Sequence, residues 1–372
     1  YTLIPIFLPG ASSDKPSEIP LFLKNKYRVC FKNNLDEKRE FDKLLFAITG
    51  KEPKREYSDQ DFSNKNPYQG LHSFEVEDKS LFFGRKVLTD KLINRISQII
   101  EQRRVRFLAL VGDSGSGKSS LVKAGLIAEL KDGHVTGNGK WRFAVFKPAA
   151  DPIQTLTDSI VTALGLDRND ALDLNSALDQ DDERVLHYQI LSKLPAEVSK
   201  LVLVVDQFEE VFTMCSDENR RRRFFAHLLF AAKVASGPVI VVITLRRDFT
   251  GKCGIYGDMA DILRECREFV EPMNKDELHE AIEEPARWAN YYFEPGLLQS
   301  ILDDALAAPE GLPLLQYAFY NLWDQLNCAE RLLTHQAYDD LGRLRGALTK
   351  PAEDIYPNLG SKQQEILKHV IF

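Results

Sequence analysis

The chain has 372 residues, which is enough for two or three domains with a sizeable core. Its hydrophobic share of 44% indicates a soluble globular protein, and 48 basic against 55 acidic residues give a net charge of −7, which disfavours nucleic acid or an anionic membrane as partners. No apolar run is long enough to span a membrane, and the five cysteines never form C-x-x-C, so we expect free thiols and a cytoplasmic protein without zinc or disulfides.

Residues 1–50 contain two short apolar runs, at 3–8 and 27–31, followed by a helical pattern that ends at Gly50. Such a small set of elements cannot bury a core alone, so we expect part of a larger α/β unit. Three segments carry a resemblance to the C-terminal half of a Toll/interleukin-1 receptor (TIR) domain, namely IPIFLPG (4–10), IPLFL (19–23) and FDKLLFAITG (41–50). In enzymatic TIR domains a glutamate of the earlier half cleaves NAD⁺, so NAD⁺ hydrolysis would require that half.

An arm precedes the first long strand. Residues 51–65 are charged and nearly free of apolar side chains, which predicts a linker, and the segment after it leads to Phe83-Gly84-Arg85 and an amphipathic helix over 87–100. Taken alone, the arm reads as a segment that packs on a sheet with Gly84 as a turn residue. In many P-loop ATPases, however, this segment folds over the adenine, and these three residues resemble the adenine-side motif of that group.

The segment GDSGSGKSS over 112–120 matches the phosphate-binding pattern G-x-x-x-x-G-K-[ST] at every fixed position. The alternative is a glycine-rich turn before an ordinary helix. The context favours a phosphate loop, because an apolar strand pattern precedes the segment and a helical pattern follows it. Glycines turn backbone N–H groups inward, and the helix N-terminus adds partial positive charge. We predict nucleotide contacts from Gly112, Ser114, Gly115, Ser116, Gly117, Lys118, Ser119 and Ser120.

The run LVLVVD over 201–206 predicts a central parallel strand buried on both faces, with Asp206 at its C-terminal end. In a P-loop fold this end lies beside the phosphate loop, so Ser119 and Asp206 are the expected Mg²⁺ residues. Either Glu209 or Glu210 is expected to polarise the attacking water, with Glu209 slightly favoured.

Two further segments have a weaker pattern. Residues 167–182 are acidic and irregular, which predicts a surface insertion. The run of four arginines over 220–223 lies in a helical pattern; without interleaved aromatic residues, a solvated helix face is favoured over a nucleic-acid site.

A buried-type strand over 239–244 ends in LRRDF, so Thr244 and Arg246 are expected near the γ-phosphate. The equally open alternative is that Arg246 pairs with Asp248 in a turn. From Asn274 the pattern changes to helices, and Pro313 either only begins a helix or places a rigid turn of a helical lid against the nucleotide.

Together these segments resemble the STAND class of signal-transduction ATPases, most of all a bacterial branch with cores G-x-S-G-S-G-K-S-S, D-Q-F-E-E and T-L-R-x-D-F. The resemblance covers roughly residues 66–372 and implies that Asp206 is the Walker B acid, Arg246 a sensor and Pro313 a lid contact. It implies an ATP- or ADP-binding switch with Mg²⁺ that self-associates when a region C-terminal to this sequence senses a trigger ligand. Slow ATP hydrolysis would reset it, and a TIR effector would respond. In bacteria such architectures resemble anti-phage defence proteins.

The predicted fold is an α/β P-loop NTPase core with a parallel sheet, a helical lid and the start of a winged helix, after a partial TIR-like segment. The predicted domains are the TIR-like segment (1–50), linker (51–65), core (66–270), lid (271–345) and start of the winged helix (346–372). The alternative functions are a nucleic-acid-stimulated ATPase, which the acidic balance disfavours, and a nucleotide-insensitive scaffold, which the phosphate loop disfavours.

Overall fold

The computed structural model describes residues 6–7, 29–30, 66–102, 104–133, 140–308, 311–324, 331–344, 346–347 and 360. The chain divides into two compact units. The first, which we call the sheet unit, comprises Gln69–Ala281 and Ala308–Gln316. The second unit comprises Tyr1–Tyr68, Ile282–Ala307 and Tyr317–Phe372.

The described strands are β1 (Ile6–Phe7), β2 (Val29–Cys30), β3 (Phe107–Gly112), β4 (Lys140–Phe146), β5 (Val198–Val205), β6 (Val239–Arg246), β7 (Arg267–Phe269), β8 (Tyr292–Phe293) and β9 (Leu332–Leu333). Five of them form a fully parallel sheet in the order β4-β5-β6-β3-β7. The predicted parallel-sheet α/β fold is confirmed, and residues 201–205 form the buried strand that the aliphatic run predicts.

The principal helices are α1 (Lys86–Glu101), α2, α3 (Pro152–Leu164), α4 (Arg168–Leu178), α5 (Val185–Lys193), α6 (Glu218–Lys233), α7 (Gly257–Cys266), α8 (Lys275–Trp288), α9 (Leu297–Leu306), α10 (Leu312–Asp324) and α11 (His335–Asp340). Helix α2 has three consecutive parts, an α-helical turn Lys118–Ser120, a π-helical stretch Leu121–Ile127 and an α-helical turn Ala128–Lys131. Short helical turns lie at Val76–Leu81, Glu210–Thr213, Arg247–Phe249 and Thr250–Cys253.

Alternate residues of each central strand face opposite sides of the sheet, because successive strand side chains point in opposite directions. In β5, Leu203 and Val205 pack against α3 to α7, whereas Val202 and Val204 pack against α1 and α2. Helices on both faces of the sheet give three layers. Because the strands are parallel, their C-terminal ends lie at one edge, where ligands of parallel α/β folds bind.

Side-chain caps fix where several helices begin. The carboxylates of Asp151, Asp167 and Asp217 each accept backbone N–H groups of the helix that follows. At α8, Asn274 accepts the N–H of Glu277, and the Glu277 carboxylate accepts the N–H of Asn274, which is a reciprocal capping box. These residues offset the unpaired donors of the first helical turn.

The prediction of a surface insertion over 167–182 is wrong. Asp167 caps α4, and Leu174 and Leu178 of that helix are fully buried in the core. Two leucines four positions apart lie on the same helix face, so they suffice to dock an otherwise acidic segment.

The four arginines of α6 are not a uniformly solvated face. Arg220 and Arg223 both pair with Asp179, at 3.2 and 3.1 Å, and Arg221 pairs with Glu218 at 3.1 Å. Of the four, Arg222 alone is largely exposed, at 58% of its side chain. The arginine run therefore joins α6 to its neighbours.

In the second unit, Tyr68 stacks on Phe319 with ring centroids 4.7 Å apart, and its hydroxyl donates to the Ile282 carbonyl at 2.7 Å. Strands β8 and β9 form a parallel pair there, and so do β1 and β2. The remainder of the TIR-like segment, the linker, and nearly all of the segment assigned to a winged helix lie outside the described residues. Among the described helices, none combines the length and hydropathy that a bilayer crossing requires.

Candidate functional site

The phosphate loop connects β3 to α2 in a left-handed backbone conformation at two positions. Gly115 has φ 74° and Gly117 has φ 86°, angles that favour glycine. The turn is closed by the Ser116 N–H, which donates to the Asp113 carbonyl at 3.2 Å. A strand, a glycine turn and a helix N-terminus in this order form a nest of N–H groups that can bind an anion.

Lys118 begins α2 and is 8% exposed. Its Nζ donates to the carbonyls of Gly112 at 2.9 Å and Asp113 at 2.7 Å. Burial lowers the pKa of Lys118, because its ammonium group loses hydration. Its closest partners are neutral carbonyls, so a bound anion would find a cation that no carboxylate contacts directly.

Asp206 lies at the end of β5 and is 3% exposed. Its Oδ1 accepts the hydroxyls of Ser119 and Thr244, each at 2.7 Å, and the backbone N–H of Gln207 at 3.1 Å. Gln207 has φ 53°, and its N–H also donates to Thr244 Oγ1 at 2.8 Å. Asp206 is thus tied to the first turn of α2 and to the neighbouring strand.

A cavity of about 430 Å³ lies over these groups, within the sheet unit. It brings together thirteen of the predicted site residues, namely Phe83, Arg85, Ser114, Gly115, Gly117, Lys118, Ser119, Ser120, Asp206, Glu209, Thr244, Arg246 and Pro313. It is lined as well by Lys147, Gln207, Met273, Leu312 and Gln316, which sequence reasoning missed.

Four predicted residues, Gly84, Gly112, Ser116 and Glu210, do not line the cavity. A Cβ at Gly84 would lie 2.3 Å from the Glu277 carbonyl, and one at Gly112 would lie 2.7 Å from the Val270 carbonyl, so both glycines allow close backbone packing. Glu210 begins a short helix beside the cavity.

Arg85 is 4% exposed and supports the loop. Its Nη2 donates to the carbonyls of Ser116 at 3.2 Å and Glu271 at 2.9 Å, and its Nη1 lies 3.7 Å from the Glu277 carboxylate. Residues that precede the sheet therefore hold the phosphate loop in place.

The glutamate pair is separated by position. Glu209 lines the cavity, and its Oε2 accepts the backbone N–H of Arg246 at 3.2 Å. Burial raises the pKa of Glu209, since its ionised carboxylate is poorly hydrated there. A raised carboxylate pKa suits proton acceptance near neutral pH, whereas Glu210 is not among the residues that line the cavity.

Arg246, the last residue of β6, and Arg247, which follows it, have different partners. Arg246 lines the cavity, and its guanidinium forms two hydrogen bonds with the Asp248 carboxylate, at 3.1 and 2.9 Å. Arg247 lies 3.4 Å from Asp113 and 3.0 Å from Glu271. Arg246 therefore pairs with Asp248, as one of the two alternatives predicts, and lines the cavity at the same time.

Apolar side chains also line the cavity. Leu312 and Pro313 line it from the beginning of α10, and a Cβ at Gly117 would lie 3.4 Å from Leu312. The arm enters through Phe74, whose N–H donates to Ser120 Oγ at 3.1 Å. A cavity lined by both apolar and cationic side chains suits the base and the phosphates of a nucleotide.

The donor set fits a hard divalent cation. Ser119 and Asp206 supply oxygen atoms, which Mg²⁺ prefers, and Mg²⁺ is commonly held by one or two protein oxygens with substrate phosphates. No cluster of three histidine, cysteine or acidic side chains that would suit a transition metal occurs in the described part of the chain.

Lys147, which the sequence does not predict as a site residue, follows the strand that pairs with the strand before Asp206. It follows β4, whose Phe146 pairs with Val205, the residue before Asp206. A lysine after a strand matches no motif, so only the pairing of β4 with β5 identifies it.

Solved structures with a similar fold include ORC of Drosophila bound to DNA, at 14% identity and a TM-score of 0.53, covering 89% of this chain and 79% of that chain. Another is ORC2 of Aeropyrum pernix in ADPNP–ADP complexes, at 12% identity and a TM-score of 0.50, covering 68% of this chain and 66% of that chain. At such identities the likeness shows the fold alone. The DNA-bound neighbour is nonetheless at odds with the expectation that a nucleic-acid partner is disfavoured.

No curated protein sequence matches the chain. The family description "Novel STAND NTPase 1", abbreviated nSTAND1, matches residues 67–372, which include every residue of the cavity and of the phosphate loop. This family match agrees with the resemblance of the sequence motifs to the STAND class. The chain therefore belongs to the Novel STAND NTPase 1 family.

Proposed function

We propose that the chain binds ATP or ADP together with Mg²⁺ and acts as a nucleotide-dependent signalling switch. The observation that carries this proposal is the bond between Ser119 and Asp206 beside the phosphate loop, because it joins a hydroxyl and a carboxylate at the N-terminus of α2. The backbone nest would hold phosphate oxygens, and Lys118 would contact the β- and γ-phosphates.

Ser119 and Asp206 are the residues that would hold Mg²⁺. When bound, the ion supplies positive charge to the phosphate oxygens. Thr244 keeps the Asp206 carboxylate oriented through its hydroxyl. Leu312 and Pro313, which line the cavity, would contact the base or ribose.

Slow ATP hydrolysis would reset the switch. Glu209 is the residue that would accept a proton from water, because it lines the cavity and its pKa is raised by burial. The Arg246 N–H fixes one oxygen of this carboxylate. Arg246 would respond to the terminal phosphate through its side chain.

The signalling step follows from nucleotide contacts in three segments of the sheet unit, namely the arm, the loop and the beginning of α10. A nucleotide shifts a conformational equilibrium only through different contacts in the two states. We propose that ATP favours a self-associating form after a trigger ligand is sensed, and that assembly activates a TIR effector in prokaryotic anti-phage defence. Cys215, Cys253 and Cys266 are buried and unbridged, which is consistent with a reducing compartment such as the cytoplasm.

The test is calorimetry of ATP and ADP binding with Mg²⁺, with Lys118→Ala as the loss variant and Lys123→Ala as the control, since Lys123 also lines the cavity but contacts Ser73 and Glu75. We expect Lys118→Ala to abolish binding and Lys123→Ala to reduce it at most modestly. Unchanged binding by Lys118→Ala would refute the proposal.

Light scattering with ATP, with ADP and without nucleotide tests the switch. Assembly that is identical in all three conditions would indicate a nucleotide-insensitive scaffold. Hydrolysis that DNA strongly stimulates, with salt-dependent binding, would favour the nucleic-acid-stimulated ATPase instead.

A further inference from the structure

Polar residues lie side by side directly after β4, directly after β5 and near the C-terminal end of β6. Phe146 pairs with Val205, and Val205 pairs with Ile243, so the next positions along these strands are Lys147, Asp206 and Thr244. The Asp206 N–H donates to the Phe146 carbonyl at 2.8 Å, which extends the pairing by one residue. Adjacent strands are about 4.8 Å apart, so the three residues form a continuous row.

The row faces the phosphate loop. Val204 and Val242, two positions before Asp206 and Thr244, pack on the side of the sheet that α2 covers, and so does Phe143 of β4. Strand side chains repeat every two residues, so Lys147 is on this side as well. All three residues of the row line the cavity.

Lys147 differs from Lys118 and Arg246, which also line the cavity. Lys118 donates to loop carbonyls, and Arg246 is engaged by the Asp248 carboxylate. Lys147 is exposed and forms no hydrogen bond or ion pair with any residue that the structure describes. Its ammonium group can therefore bind an anion without breaking an existing contact.

We propose that Lys147 contacts the terminal phosphate of bound ATP and thereby makes the site favour ATP over ADP. The inference rests on the proposed function. The nest of a phosphate loop cradles the inner phosphates, so the third phosphate extends from it toward the strand ends. There it meets the row, in which Lys147 supplies the positive charge on the side of Asp206 away from Thr244 and Arg246.

The experiment measures the affinities of the full chain for ADP and for a non-hydrolysable ATP analogue, with Mg²⁺, for Lys147→Ala. We expect affinity for the analogue to fall about tenfold, as for loss of a hydrogen bond between charged groups, with ADP affinity changed less than about twofold. Lys147→Arg should restore most of the difference. Lys140→Ala is the matched control, because Lys140 is an exposed lysine at the opposite end of β4.

Equal losses for both nucleotides, or no loss for either, would overturn the assignment. Melting temperatures of the variants establish that the exposed substitutions leave the fold intact. If the unmodified chain binds neither nucleotide, the proposed function fails as a whole. If instead the unmodified chain binds both nucleotides and Lys147→Ala changes neither affinity, only the role of Lys147 is rejected.

Discussion

Replacing Thr244 with valine tests the connection between the sheet and the metal-binding carboxylate. Thr244 is fully buried, and its hydroxyl donates to Asp206 Oδ1 and accepts the Gln207 N–H. Valine has nearly the same shape, so Thr244→Val removes these two bonds without opening a cavity. A hydrogen bond to a charged group contributes about 1.5–3 kcal/mol, and the added methyl offsets part of that loss, so we expect unfolding free energy to fall by about 1–3 kcal/mol.

The same substitution should weaken nucleotide binding. Asp206 would retain Ser119 and the Gln207 N–H as partners but lose its strand-side anchor. We expect affinity for Mg²⁺-ATP to fall about 3- to 30-fold, corresponding to a loss of roughly 0.7–2 kcal/mol. Calorimetry gives the affinity, and urea unfolding gives the stability, provided that the slope m is unchanged.

Thr244→Ser separates the hydroxyl from the rest of the side chain. It keeps both hydrogen bonds and loses one buried methyl group, so stability should fall by about 1 kcal/mol while ATP affinity stays near that of the unmodified chain. A valine variant that binds Mg²⁺-ATP as tightly as the serine variant would refute the argument that this hydroxyl orients Asp206.

Three further outcomes are expected. Gly112→Ala should cost about 1–3 kcal/mol and weaken nucleotide binding, because its methyl would lie 2.7 Å from the Val270 carbonyl; Gly251→Ala, where a Cβ meets nothing within 4 Å, is the control in urea unfolding. Asn274→Ala should cost about 1 kcal/mol by removing the α8 cap, without changing ATP affinity in calorimetry. Glu209→Gln should abolish ATP hydrolysis yet raise the unfolding free energy at pH 7. Burial raises the Glu209 pKa in the folded chain, so ionisation of Glu209 lowers stability as the pH rises above the pKa of the unfolded chain. In urea unfolding at a series of pH values, the stability difference between the variant and the unmodified chain should vanish below about pH 4.

Much of the fold follows from local patterns. The aliphatic run before Asp206, the glycine loop after β3 and the cap residue Asp217 each specify an element from a few neighbouring residues. The predicted helix over 87–100 is observed at Lys86–Glu101, because its apolar spacing and turn residues are contained in the segment itself. The position of Asp206 beside Ser119 also follows, since it is a property of parallel sheets.

What the sequence leaves undetermined depends on contacts between distant segments. Lys147 belongs to the site only because β4 pairs with β5, and these strands are separated by three helices. Arg223 is bound by Asp179, 44 positions away, which no local pattern of arginines indicates. That Glu209 rather than Glu210 lines the cavity depends on the turn after β5, where Gln207 adopts a positive φ.

Burial shifts the pKa values of Lys118 and Glu209 in opposite directions, and one cause explains both shifts. Each charged form loses hydration in the cavity, so the pKa of the lysine falls and that of the glutamate rises. Strongly perturbed pKa values are typical of functional sites. They also lower the stability of the protein without its ligand, because each group lies where its charged form is disfavoured. A polyphosphate with Mg²⁺ adds compensating charges to both groups. A ligand that binds only the folded chain at 100 times its Kd adds about 2.7 kcal/mol of stability, so nucleotide binding would offset the cost that the cavity imposes on the sheet unit.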